Sequence, residues 1–302
     1  MKVRDEPTAL LDAIGFWRAG GVLDLRGIRE GRMPHLIPIR NRANVTRIAE
    51  CLCDQGLNVY FGVAPRESGT SGRDGVRCSV ACHADVDGVG PLEAFEGACA
   101  TGLTPSAVVS SGGGTHLYWT LDTPCEDVRR VEIVNFKLAR LLGADMACWD
   151  ASRVLRLPGT KNYPCAKKVA TGRKVALTTL DKTTPYVHEI ATLEDWLSDI
   201  DEQPPERGAR VQIGDPPPEP SRELVARLGL RMPPEPTDRS RADYRVAVDA
   251  IMRGATAEEA ASIVWHAPWS KDRTLGYLSR TITNAADEAR DALAAIASGD
   301  LP

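Results

Sequence analysis

Long apolar runs are missing from this chain of 302 residues. No stretch of about eighteen apolar residues occurs, which excludes a membrane-spanning helix. Arg4, Asp5 and Glu6 interrupt the N-terminus before any apolar segment begins, so no secretory leader is expected and the chain reads as cytoplasmic. A surplus of positive charge is lacking as well. The formal net charge is -4, which rules out gripping nucleic acid with a uniformly basic surface. Any such contact must be local. The 26 glycines and 21 prolines stay below collagen-like or low-complexity levels. Cysteine is plentiful in number but not in pattern: Cys51, Cys53, Cys78, Cys82, Cys99, Cys125, Cys148 and Cys165 are scattered. They form C-x-C and C-x3-C spacings without a paired C-x2-C knuckle, so reduced, mostly buried thiols are expected rather than disulfides or structural zinc.

Two catalytic signatures are missing too. No glycine-rich loop ends in Gly-Lys-Ser/Thr, which disfavours a Walker-type ATPase or helicase. No G-x-S-x-G elbow occurs, which removes the serine-hydrolase reading. What is present is a mixed first part. Val59, Phe61 and Val63 alternate in a strand that ends at Pro65. CSVACHADVDG is a second strand, and PSAVVSSGGGTHLYWTL reads as two strands joined by a glycine turn. Residues 126–142 carry Val131, Val134, Leu138 and Leu142 at helical spacing, with Gly143 as the stop. Residues 204–238 are rich in proline and read as an extended connector around a short helix at 221–228. Residues 239–302 show only helical signals. Ser240 with Asp243 and Thr256 with Glu259 suggest helix starts, and a third helix runs from Leu275 to Ile296. The expected organisation is therefore an α+β catalytic domain over 1–203, a linker over 204–238 and a small all-α bundle over 239–302.

Three features point to chemistry. Asp85 and Asp87 alternate on one strand, so both carboxylates face the same side. Like charges held together repel unless a cation lies between them or one takes a proton. Oxygen donors of this kind suit Mg²⁺ or Mn²⁺, and His83 falls on the same face. In SSGGGTHLYW the three glycines allow close approach to a ligand. His116 and Tyr118 should face the open side of the sheet, with Leu117 and Trp119 toward the core. His116 could donate to a phosphate oxygen. The third feature is WDASRVLRLPGTKN, with Asp150 followed by Arg153, Arg156 and Lys161. From 153 to 182 there are eight basic residues against Asp181 alone, a local polyanion site on an acidic chain. Carboxylates, a histidine and this basic segment together describe a place for a metal-bound triphosphate.

DVD at 85–87, GGGTH at 112–116 and WDASRVLRLPGTKN at 149–162 occur in the order found in the archaeo-eukaryotic primase superfamily. The chain resembles its plasmid and phage primase-polymerases over roughly residues 10–180, with a helical segment like the one that often follows such cores. The resemblance implies an α+β core with an RNA-recognition-like sheet, and Asp85, Asp87 and Asp150 as ligands of two divalent ions, Mg²⁺ or Mn²⁺. It implies His116 on the phosphates of the incoming nucleotide, assisted by Arg153 and Arg156, with Lys161 and Arg66 as further phosphate or template contacts. The expected function is DNA primase-polymerase activity, making primers de novo on a single-stranded DNA template from NTP or dNTP. A separate replicative helicase would unwind the template. The helical bundle, through Arg241, Arg245 or Arg280, would hold the template and first nucleotide. Two other readings follow from the same residues: a replication-initiator DNA-binding protein with a vestigial core, and a repair or end-joining polymerase.

Overall fold

The computed structural model describes residues 5–29, 35–67, 73–204, 211–230, 236, 238–269 and 273–298. The chain divides into two compact units, Met1–Pro204 and Pro205–Pro302. In the first unit the described elements run α1 (Glu6–Ala13), β1 (Leu23–Ile28), β2 (His35–Ile39), α2 (Val45–Asp54), β3 (Asn58–Gly62), β4 (Ser79–Asp87), α3 (Pro91–Ala100), β5 (Ala107–Ser110) and β6 (Gly114–Cys125). They continue with α4 (Val128–Leu142), β7 (Val154–Arg156), β8 (Lys161–Asn162), α5 (Ala166–Ala170), β9 (Ala176–Leu177), β10 (Thr179–Thr183) and α6 (Ile190–Trp196). The first sheet has the order β2-β1-β3-β7 and the second β10-β5-β6-β4, and every pairing in both is antiparallel.

Alternation along the strands decides the layers. Leu23, Leu25, Val59 and Phe61 of the first sheet share one core with Val80, Ala107, Val109 and Tyr118 of the second, closed by Leu10, Leu11 and Val45 from α1 and α2. On the far face of the second sheet, Leu117, Trp119 and Val108 pack with Val131, Val134 and Leu138 of α4, and with Ala94 and Leu193 of α3 and α6. The second sheet is therefore buried on both faces. This corrects the expectation that His116 and Tyr118 look onto an open surface: His116 is 2% exposed and Tyr118 0%, and the Tyr118 ring lies 6.3 Å from Phe61. The first sheet covers them, a long-range pairing that local alternation does not reveal.

Helix α4 is bounded as its residues dictate. The Asp127 side chain accepts from the amides of Arg129 and Arg130, and Gly143 ends the helix in the left-handed region at φ 61°. The glycine turn also has a reason within the fold. Gly112 adopts φ 75°, and a Cβ on Gly114 would collide with the carbonyl of Val86. The close approach is to the protein's own strand β4, which lets β4 and β6 pair to their ends.

The second unit contains α7 (Arg222–Leu228), α8 (Arg239–Met252), α9 (Ala257–Trp265) and α10 (Leu275–Ser298). Its core is built from Ala247, Ala250, Ile263, Val264, Leu278 and Ile282. Thr256 and Glu259 form the reciprocal cap at the start of α9. At α8 the cap is Asp238, accepting from the Arg241 amide, rather than Ser240. Asp243 lies one turn further on, inside the bundle, where it accepts from Trp269 Nε1 (2.8 Å), Arg273 Nε (2.9 Å) and Tyr277 Oη (2.9 Å). Part of the proline-rich segment also lies on this bundle. The Val211 and Ile213 amides donate to Thr283 and Ser279, and the Pro217 and Pro218 carbonyls meet His266 Nε2 and accept from Ser262. Residues 205–210, 231–235 and 237 of that segment, and the side chain of Ile296, lie outside what the structure describes.

Candidate active site

Antiparallel register places Asp85 of β4 directly opposite His116 of β6. His116 Nε2 stands 3.7 Å from Asp85 Oδ1, just beyond hydrogen-bond reach. Across from them, in the first sheet, Tyr60 of β3 pairs with Arg156 of β7, whose guanidinium sits 4.9 Å above the Tyr60 ring. The fields of these groups overlap. Burial, then the charges of Asp87 and Asp145, push the Asp85 carboxyl up to about 6, against the pull of Arg156. Burial, then Arg156 and His83, hold His116 down to about 3. His116 is thus a neutral imidazole at physiological pH, carrying one donor and one acceptor, and its buried Nδ1 makes no hydrogen bond. Asp87 is exposed at the end of β4.

Asp150 is placed differently from Asp85. It is 6% exposed, and its carboxylate is paired with Arg153 at 2.9 Å and accepts from the Ser152 hydroxyl. The set of His, Cys, Asp and Glu donors that converges among the described residues is Asp85, Asp145 and Cys148, all within 4.8 Å of one another. Arg66 also departs from its expected role. It is 1% exposed, ion-paired with Asp24 at 3.2 Å and donating to the Ser152 carbonyl at 2.7 Å, so it fastens the turn after Asp150 from inside. Lys161 is half-buried in β8, and Arg173 of the basic segment folds back to the Gly113 carbonyl at 3.1 Å. Arg241 and Arg245 line one groove along α8 with Tyr244 and Glu288. Arg280 is exposed on α10 and is not among the residues lining that groove.

An acidic strand paired with a histidine strand, covered by the first sheet with Arg156 on its β7, can be compared with known proteins. No protein-family model and no curated protein matches the chain. Among solved structures it is similar to the AEP domain of the cyanophage S-2L primase-polymerase, at TM-score 0.51 and 21% identity, covering 64% of this chain and 97% of that one. The fold is archaeo-eukaryotic primase-like. Weaker likenesses are to primase RepB' (TM-score 0.45, 18% identity, 94% of this chain and 98% of that one) and to the catalytic domain of RepB' in complex with initiator DNA. The latter has TM-score 0.46 and 17% identity over 65% of this chain and 96% of that one.

On this primase-like core, two residues of α4 hold the site and were not singled out in the sequence. Asn135 is fully buried. Its amide oxygen accepts from the His83 backbone at 2.8 Å, and its nitrogen donates to the Trp149 carbonyl at 3.1 Å. Glu132, also fully buried, takes two bonds from Arg73 at 2.7 and 2.8 Å and one from the Ala151 amide at 3.3 Å. Together they clamp residues 149–151 around Asp150. The signal was their position: both sit on the apolar stripe of Val131, Val134 and Leu138, where a polar side chain must find partners. His83 is part of this support, not of the open face. It is 1% exposed, held neutral by burial, and bonded to the Cys148 carbonyl at 3.0 Å.

Proposed function

We propose that the protein is a DNA primase-polymerase that makes primers on single-stranded DNA from NTP or dNTP. One observation carries this reading: on a primase-like fold, Asp85 and a neutral, buried His116 face each other across adjacent strands, with Arg156 opposite. In this reading Asp85, Asp87 and Asp150 would hold two divalent ions, Mg²⁺ or Mn²⁺. The raised Asp85 carboxyl suits a cation, which would relieve its repulsion with Asp87 and Asp145. Asp150 fits less directly, because a cation there must compete with Arg153. When bound, the ions would supply an activated 3′-hydroxyl nucleophile and charge stabilisation on the departing pyrophosphate.

The chain's own groups do the rest. His116, being neutral, donates an N–H to a phosphate oxygen without adding charge. Arg156 is held over Tyr60, so its positive charge is positioned before the triphosphate arrives. Arg153 and Lys161 add to a basic rim. Arg241, Arg245 and Arg280 of the helical unit would retain the template and first nucleotide, and a separate helicase would open the duplex.

The test is synthesis on an unprimed single-stranded template, with NTP and dNTP supplied separately and with each metal. Ala at Asp85, Asp87 or Asp150 is expected to abolish product. Template binding without any synthesis would favour the initiator-protein reading instead. Extension of supplied primers without initiation would favour the repair polymerase.

A further inference from the structure

Beside Asp85 lies a turn from which the reading above takes no ligand. The Asp145 amide donates to the Asp85 carbonyl at 2.7 Å, and the Cys148 amide to the Asp145 carbonyl at 3.0 Å. The Cys148 carbonyl is fixed in turn by His83 at 3.0 Å. Residues 145–148 are therefore tied at both ends to β4. This brings Cys148 Sγ to 3.2 Å from Asp145 Oδ2 and 3.8 Å from Asp85 Oδ2. The other oxygen of Asp85 faces His116, which is 2% exposed, has a buried ring Nδ1 without a hydrogen-bond partner and directs Nε2 at that carboxylate. Two carboxylates and a sulfur converge on one point, and a buried imidazole is aimed at the carboxylate they share.

We propose that Asp85, Asp145 and Cys148 form a binding site for a borderline divalent transition ion such as Mn²⁺, Co²⁺ or Zn²⁺, in preference to Mg²⁺. Softness decides the class of ion. Mg²⁺ takes oxygen donors and dehydrates reluctantly, whereas a thiolate favours the softer cations. Coordination converts the Cys148 thiol to thiolate, its proton passing to solvent as the metal–sulfur bond forms. His116 lies against the Asp85 oxygen not given to the metal, and its buried ring closes that side of the site. The site shares Asp85 with the proposed synthesis site. It does not depend on the protein being a polymerase.

The experiment uses the full chain without template or nucleotide. Titration with Co²⁺ should produce a near-ultraviolet thiolate-to-cobalt charge-transfer band that saturates at one equivalent. Cys148→Ser should remove the band, and Asp145→Asn should raise the Kd by roughly tenfold or more. X-ray absorption of the Zn²⁺-loaded parent, which needs no variant to fold, should show one sulfur at about 2.3 Å and lighter donors at about 2.0–2.2 Å. The proposal is overturned by a parent without the band, by a band that survives in Cys148→Ser, by unchanged affinity in Asp145→Asn, or by a sulfur-free shell. Primer synthesis is assayed on the same preparation. A metal signature without synthesis defeats the functional reading alone, and synthesis without the signature defeats this one alone.

Discussion

At the scale of single residues, Asp85 is a carboxyl whose surroundings work against its charge: burial first, then Asp87 and Asp145. Its carboxyl holds its proton to about 6 in the folded chain, against 3.8 for the free side chain. The folded state therefore binds more protons than the unfolded state between those values, and stability falls as pH rises through that window. Asp85→Asn removes this cost. In chelator it should raise the unfolding free energy at pH 7.5 by about 1–2 kcal/mol, while abolishing synthesis. The gain should vanish below about pH 4, which paired urea titrations at the two pH values would check. His116 makes the complementary case. His116→Ala is expected to slow nucleotide incorporation by about 10²-fold, the usual effect of losing one preorganised donor. Template binding measured by fluorescence anisotropy should be nearly unchanged. Both residues were legible in the sequence, because a two-residue period and a glycine turn fix which side chains share a face. The burial that makes His116 neutral was not legible, since it comes from a sheet built from strands within residues 23–62 and 154–156.

At the scale of elements, α4 sets the site. One of its faces fills the core behind β4, and the same face carries Glu132 and Asn135 to the turn at 149–151. Glu132→Ala would remove two acceptor contacts from Arg73 and the acceptor of the Ala151 amide. The Arg73 side chain is 37% exposed and can turn to water, so the cost comes mainly from the buried amide left unpaired, about 1–3 kcal/mol, read as a lower unfolding free energy in urea titration. The helix itself could be read from Val131, Val134 and Leu138 and from its stop at Gly143. Its tethers could not, because their partners lie far off in the chain or in a turn with no local signature. The same holds for Asp145 and Cys148: nothing in their spacing announces Asp85, and only the backbone bond to β4 brings them to it. Asp243 shows the reverse error. Three residues after a serine, it looked like half of a helix cap, but α8 begins two residues earlier than that reading requires and turns Asp243 inward.

At the scale of the whole molecule, two units with separate cores imply separable stabilities. The clusters around Leu25 and Leu117 lie wholly within residues 1–204, and that around Val264 wholly beyond them. A cut near Thr237 would strand Val211, Ile213 and Leu228, which pack on the bundle, so the informative boundary is Pro204. A chain ending there should fold, extend a supplied primer and lose most primer-independent dinucleotide formation. Equal loss of both activities, read on denaturing gels, would mean that the helical unit has no part in initiation. Strand β4 carries one more implication for such experiments. It lies at the border of its sheet, and its outer side is occupied by the chain itself: the Ala81 carbonyl by Ser79, the His83 amide by Asn135 and the Asp85 carbonyl by Asp145. An uncovered strand border is a template for self-association. Asn135→Ala should therefore shift the protein toward insoluble aggregates. A cell-based screen would score that variant as catalytically dead when the defect is one of solubility.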